Sequence, residues 1–180
     1  MQEKKEPCRH QTHSANLKIC GGCRGKSVAT RCRYRVPVDP KSLSYFCNGA
    51  DYLPAEDAIT HSMAFDPVSI NIASAGSLYP DHVIFLGDAT VVAGENESLD
   101  DTVNRTIVDT DNAPVSIVVP HKGVLMKTDA NPGQYAMARC IADVTARVPQ
   151  TATLHYLDKQ NVYELLNWEA EHYPQKKNLK

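Results

Sequence analysis

A chain of 180 residues with 42% hydrophobic and 22% charged residues has the size and composition of one soluble domain, with or without an additional segment. No apolar run approaches the roughly 20 residues of a membrane helix, and the polar start MQEKKEPCRHQ lacks the apolar stretch of a signal peptide. We therefore expect a cytoplasmic protein with no membrane partner.

Charge and cysteine divide the chain into two parts. Residues 1–36 carry nine Lys or Arg against two Glu, a net of +7, whereas the remaining residues carry ten against nineteen acids, a net of −9. We predict a poorly ordered basic arm over 1–36, with one short strand at Leu17–Cys20, and an α/β domain over 37–180. The acidic balance of that domain argues against a nucleic-acid partner. The arm is rich in cysteine and contains Cys8, Cys20, Cys23 and Cys32.

Short elements are predicted in the first half of the 37–180 domain. Helices are expected to start at Pro54–Ala58 and at Asp66–Pro67, where proline and acidic residues suit a first helical turn. The run SLYPDHVIFLG, residues 77–87, has a turn followed by five residues of which four are apolar or aromatic. That pattern predicts a buried strand. We assign strands to His82–Leu86 and Thr90–Ala93, and a surface excursion to Glu95–Asn112.

Clearer patterns appear in the second half. Val115–Val119 is β-branched apart from Ser116 and predicts a buried strand. The turn Pro120–Gly123 then leads to a hairpin partner at Val124–Met126. Asn131 before Pro132 predicts a helix start, and Pro149 predicts its end. Four apolar residues of this helix recur at helical spacing and predict its buried face: Met137, Ile141, Val144 and Val148.

A last strand and a last helix are predicted near the C-terminal end of the sequence. The strand is Thr153–Leu157, and Asp158 is expected to cap the helix. The expected apolar side of this helix is Val162, Leu165, Leu166 and Tyr173, with Trp168 at its flank. Strands alternating with helices predict an α/β fold, in which helices pack on both faces of a mixed sheet as α/β/α layers.

Four runs carry a resemblance to a known family. They are SLYPDHVIFLG at 77–87, PHKGVLMK at 120–127, NPGQYAMARCIADVTARVP at 131–149 and LLNWEAEHY at 165–173. In this order and spacing the chain resembles, over residues 36–180, the C-terminal part of the class II aldolase/adducin family, in its bacterial sugar-aldolase-like branch. The resemblance implies an α/β/α fold and a family whose complete members use zinc to cleave sugar phosphates.

The catalytic residues of that family have no clear counterpart here. The family holds its metal with three histidines, two of them as an H-x-H pair on a strand, and uses a carboxylate as acid and base. This sequence contains no H-x-H, and His13 is the nearest match to the third histidine, in a degenerate setting. We assign no catalytic or metal-binding residue and expect no cofactor for this chain alone. The resemblance implies a truncated or degenerate aldolase-like protein that does not catalyse the cleavage by itself.

Two other functions stay open. One is a non-catalytic interaction or oligomerisation module that pairs with its own copies or with a complete aldolase-like subunit. The other is a small zinc-binding protein, because Cys20 and Cys23 form a C-x-x-C pair near Cys8 and Cys32. A complete zinc ribbon has a second close cysteine pair, so free thiols are the simpler interpretation of this arm.

Several other polar or aromatic residues are most simply interpreted as structural. The turn His121-Lys122-Gly123 is either an ordinary hairpin turn, which we favour, or an anion contact through Lys122. His82 is interpreted as a structural hydrogen-bonding residue. Asp129 and Asp143 are interpreted as turn and helix-surface acids, and Trp168 as a packing residue.

Overall fold

The computed structural model describes residues 43, 44, 46, 47 and 51–172, the last five of them without their side chains. The predicted arm over 1–36, its strand at Leu17–Cys20 and its four cysteines lie outside the described residues. So do the side chain of Trp168 and the whole of Tyr173.

The described elements alternate between short strands and helices. Four strands form one sheet, and a short 3-10 helix, Met63–Phe65, follows the first α-helix. In chain order the elements are β1 Tyr52–Pro54, α1 Ala58–Ser62, α2 Pro67–Ser74, α3 Pro80–Leu86, β2 Val91–Val92, α4 Leu99–Thr110, β3 Ser116–Val119, β4 Gly123–Lys127, α5 Pro132–Arg147 and α6 Lys159–His172.

The sheet is mixed, as predicted. Its strand order is β1-β4-β3-β2. β4 runs antiparallel to both β1 and β3, whereas β2 runs parallel to β3. The predicted hairpin is confirmed, with Ile117 opposite Leu125 and Val118 opposite Val124. The predicted strand at Thr90–Ala93 is confirmed as the two residues of β2.

Helices cover both faces of this sheet, because neighbouring strand residues point to opposite sides. On one face, Val118, Val124 and Met126 pack with apolar residues of α2, α3 and α5. On the other face, Ile117, Val119 and Leu125 pack with Leu99 of α4 and with Leu43. The mixed α/β class is therefore confirmed, and its core lies in two apolar layers.

The longest described helix, α5, begins where the sequence predicts. The Asn131 side chain accepts from the Gln134 backbone N–H at 3.0 Å, and the Gln134 side chain accepts from the Asn131 backbone N–H at 2.8 Å. This capping box satisfies two N–H groups that a helix start otherwise leaves unpaired. The helix ends two residues before Pro149. Its buried residues are Ala138, Ile141, Ala142 and Thr145, so only Ile141 of the predicted face is fully buried.

The predicted strand His82–Leu86 is wrong, because these residues belong to α3. Pro80 occupies the first turn of the helix, and Asp81 lies near its positive end. Gly87 ends the helix with φ +94, a conformation that suits glycine. A short apolar run does not distinguish a buried strand from one turn of buried helix.

The segment Glu95–Asn112, predicted as a surface excursion, is mostly exposed, but it forms a helix that was not predicted, the twelve-residue α4. Its buried residues are Leu99, Thr102 and Thr106. Both threonines donate to the backbone oxygen four residues earlier, at 2.9 and 2.8 Å. Because their hydroxyls are satisfied inside the helix, these threonines occupy core positions that a hydrophobic pattern does not reveal.

Smaller differences occur at three other predicted elements. Residues 152–158, which include the predicted strand Thr153–Leu157, have no regular structure. Pro54 ends β1, and α1 starts only at Ala58. Asp158 does cap α6, since its carboxylate accepts from the Asn161 N–H at 2.8 Å. In α6, however, Val162 is buried while Leu166 is exposed.

No helix in the described ranges is long and apolar enough to cross a membrane.

Candidate functional site

The most unusual polar side chain of the described residues is His82. It lies in the first turn of α3, which packs against α5 and α6. Its exposure is 0%, and neither ring nitrogen has a hydrogen-bond partner in the part of the chain that the structure describes. The prediction that His82 is a structural hydrogen-bonding residue is therefore wrong.

Burial determines the protonation of His82. It lowers the pKa of the imidazole from its ordinary 6.5 to about 4, because a buried charge loses its hydration. The ring is consequently neutral near pH 7 and has one N–H donor and one acceptor nitrogen. Leaving such a group unpaired in the interior costs about 1–3 kcal/mol, so His82 is a costly residue at this position.

Tyr79 and Cys140 lie next to His82. The rings of Tyr79 and His82 are 5.9 Å apart between centroids and inclined by 45°. The Tyr79 hydroxyl donates to Cys140 Sγ at 3.6 Å, and Cys140 is exposed on α5. Burial, followed by this hydrogen bond, raises the pKa of Tyr79. The group therefore has a neutral imidazole, a protonated phenol and a thiol that solvent reaches.

Two contacts hold this region in place. The buried Ser77 hydroxyl lies 3.1 Å from the Gly87 carbonyl oxygen and also contacts the Asp88 carbonyl oxygen, which joins the two ends of the α3 segment. A Cβ at Gly133 would lie 2.6 Å from Phe85 Cε1. The absence of a side chain at Gly133 thus lets the Phe85 ring of α3 pack closely against α5.

His61 is the second buried histidine, and sequence reasoning did not identify it. Its Nε2 lies 2.7 Å from the Ala55 carbonyl oxygen, and its Nδ1 is 3.0 Å from the Val124 backbone nitrogen. Because the Val124 N–H donates to Nδ1, Nε2 must donate to Ala55. Burial lowers the pKa of His61 as well. This side chain links α1 to β4, a structural role that no sequence pattern indicates.

Gly123 makes that link possible. It has φ +148, and a Cβ there would lie 2.6 Å from His61 Nδ1 and from Leu43 Cδ1. The turn before it is an ordinary hairpin turn, as predicted, in which His121 is in the left-handed region with φ 61. Lys122 Nζ lies 5.3 Å from the centre of the Phe46 ring, a cation–π geometry. An anion contact by Lys122 stays a prediction.

The remaining polar residues singled out in the sequence have contacts of their own or lie outside the described residues. Asp129 is in a turn and pairs with Lys127 at 3.1 Å, and Asp143 pairs with Arg147 on α5 at 2.9 Å. Both agree with their predicted turn and helix-surface positions. His13 is not among the described residues. Within those residues, no group of three His, Cys, Asp or Glu side chains could hold a metal ion.

Comparisons with protein-family models, with curated proteins and with solved structures found no match to this chain. The resemblance to class II aldolases thus rests on the four sequence runs and stays a prediction.

Proposed function

We propose that this chain is a class II aldolase/adducin-like protein that does not cleave sugar phosphates by itself. One observation carries the proposal: the helices of two of the four runs on which the resemblance rests pack against each other. Run 77–87 contains α3 and run 131–149 contains α5, and these two helices are in contact. Run 165–173 overlaps α6, which also contacts α3.

Close contacts join two of these runs. The Phe85 ring of one run packs against Gly133 of the other, and the Tyr79 hydroxyl donates to Cys140 Sγ across the same pair of helices. These two runs therefore belong to one packed unit, while their likeness to the family rests on their sequence and order.

Chemistry explains why the chain alone is proposed to be inactive. Aldol cleavage with a metal needs about three protein ligands, an open coordination position for the substrate, and a placed acid/base. The family provides two of these ligands as an H-x-H pair, which the sequence lacks. Of the family's metal ligands, the sequence offers only His13 as an approximate match.

The test is a coupled assay for dihydroxyacetone phosphate released from a panel of ketose phosphates by the full chain supplied with zinc. We expect no release above the protein-free blank. The controls are a chelator-treated sample and a His13→Ala variant. Release that both of these controls abolish would contradict the proposal and would identify His13 as a metal ligand.

An interaction module is the second candidate, and exposed apolar residues favour it. On α6, Tyr163 is 64% exposed and Leu166 is 49% exposed, one helical turn apart. A complete aldolase-like subunit is the proposed partner of this surface. Capture of such a subunit by the full chain, weakened by Tyr163→Ser but unaffected by Val108→Ser, which alters an exposed apolar residue of α4, would support it. Equal capture by both variants would exclude this surface.

A further inference from the structure

The outward side of α4 is an apolar pair surrounded by acids. The helix turns Leu99, Thr102 and Thr106 towards the sheet, and its opposite side leaves Val108 82% exposed and Ile107 39% exposed. We call this surface the α4 face, formed by Asp100, Asp101, Asn104, Ile107, Val108 and Asp111, all of which are exposed.

The charge of this region is strongly negative. Residues 95–111 contain six carboxylates and a single cation, Arg105. That cation is engaged by Glu97 through two hydrogen bonds of 2.9 and 3.0 Å. Asp100 and Asp111 at the rim of the α4 face therefore lie in a field that Arg105 offsets only in part. A partner that fits this face must bring both apolar area and positive charge.

The sequence of this chain contains such a segment. Residues 31–36 read RCRYRV, so three arginines alternate with Cys32, Tyr34 and Val36. They belong to the first 36 residues, whose net charge is +7. The alternation supplies a cationic and an apolar group every two residues, which is the combination that the α4 face requires.

The same segment is attached next to that face. Leu43, seven residues after Val36, is fully buried in the apolar cluster that contains Leu99 of α4. A linker of this length spans up to about 25 Å. The twelve residues of α4 extend over about 18 Å, so the whole face lies within reach. Tethering at this distance gives an effective concentration of about millimolar order.

We propose that residues 31–36 dock on the α4 face of their own chain. Tyr34 and Val36 cover Ile107 and Val108, and the arginines pair with the surrounding carboxylates. Individual exposed ion pairs contribute little and are screened by salt, so the docked state depends on both the apolar contact and low ionic strength.

The experiment is methyl NMR of the full chain with labelled isoleucine and valine. The Tyr34 ring should displace the Val108 methyl resonances upfield, and Tyr34→Leu should abolish that displacement. Raising the salt to about 1 M, where the Debye length is about 3 Å, should abolish it in the unchanged chain. The matched control is Tyr163→Leu, which alters an exposed tyrosine of α6 and should leave Val108 unaffected.

Two results would overturn the proposal. One is a Val108 resonance that neither Tyr34→Leu nor salt displaces. The other is a displacement that grows with protein concentration, since this would place a second copy on the face. The resonances of Val118, which is buried in the sheet, report folding in every variant, so an unfolded sample is not mistaken for an undocked one.

Discussion

Replacing His82 by leucine tests whether this imidazole is buried without partners. Leucine is apolar and similar in size, and it removes an unpaired polar group whose burial costs about 1–3 kcal/mol. We therefore expect the free energy of unfolding near neutral pH to rise by about 1–3 kcal/mol. If two buried hydrogen bonds held the imidazole, the leucine variant would instead lose about 2–3 kcal/mol of unfolding free energy.

In the unchanged chain, His82 also makes stability depend on pH, with a definite sign. The pKa of His82 is about 4 in the folded chain and 6.5 ordinarily, so between these values the unfolded chain binds a proton that the folded chain does not. Stability therefore falls as the pH falls. Above pH 6.5 His82 causes almost no loss of stability. The loss that it causes amounts to about 2 kcal/mol at pH 5 and about 3 kcal/mol at pH 4.

The assay is urea unfolding of both proteins, at about pH 7.5 and about pH 5. The stability advantage of the variant over the unchanged chain should grow by about 2 kcal/mol at the lower pH. His61, whose pKa is also lowered by burial, should leave some acid dependence in both. The matched control His155→Leu changes an exposed histidine and should preserve the full dependence. An His82→Leu protein with unchanged acid dependence would refute the reasoning.

Three further predictions concern stability measured by the same unfolding assay. Ile141→Ala should cost about 2–5 kcal/mol, because Ile141 is buried between α5 and the sheet. The control Leu166→Ala changes an exposed residue and should cost less than about 1 kcal/mol. Equal costs would show that Ile141 is not a core residue. Gly123→Ala should cost about 2–5 kcal/mol through its positive φ and its contact with His61. Gly87 also has a positive φ, but a Cβ there would have no atom within 4 Å, so Gly87→Ala should cost clearly less. A larger cost at Gly87 than at Gly123 would contradict the close contact between Gly123 and His61. The Arg105 guanidinium hydrogen bonds lower the pKa of Glu97 from 4.5 to about 2, so Glu97→Gln should destabilise by about 1 kcal/mol at neutral pH. That difference should shrink as the pH falls from 4.5 towards 2, and a constant difference would exclude the charge as its cause.

Local signals predicted several elements correctly. Asn131, Pro132 and Gln134 specify the start of α5 through groups that are adjacent in sequence, so the prediction needed no tertiary information. The strand within Val115–Val119 was also predicted, because β-branched residues between turn residues strongly favour a buried strand. In both cases the physical cause lies within a few residues of the element itself.

Other features depend on packing that no short run contains. The five residues His82–Leu86 suit either a strand or a helix, and contact of α3 with α5 and α6 decides between them. Thr102 and Thr106 are buried because their hydroxyls bond inside α4, although their polarity suggested a surface segment. The isolation of His82 likewise arises from three helices meeting, so the candidate site was not predictable from sequence.

Turnover by the full chain alone, with zinc and a panel of ketose phosphates, tests the central claim most directly. The account predicts no dihydroxyacetone phosphate above the protein-free blank, because the sequence lacks the H-x-H pair with which the class II aldolase family holds its catalytic metal. Zinc-dependent release that a chelator abolishes and zinc restores would contradict it.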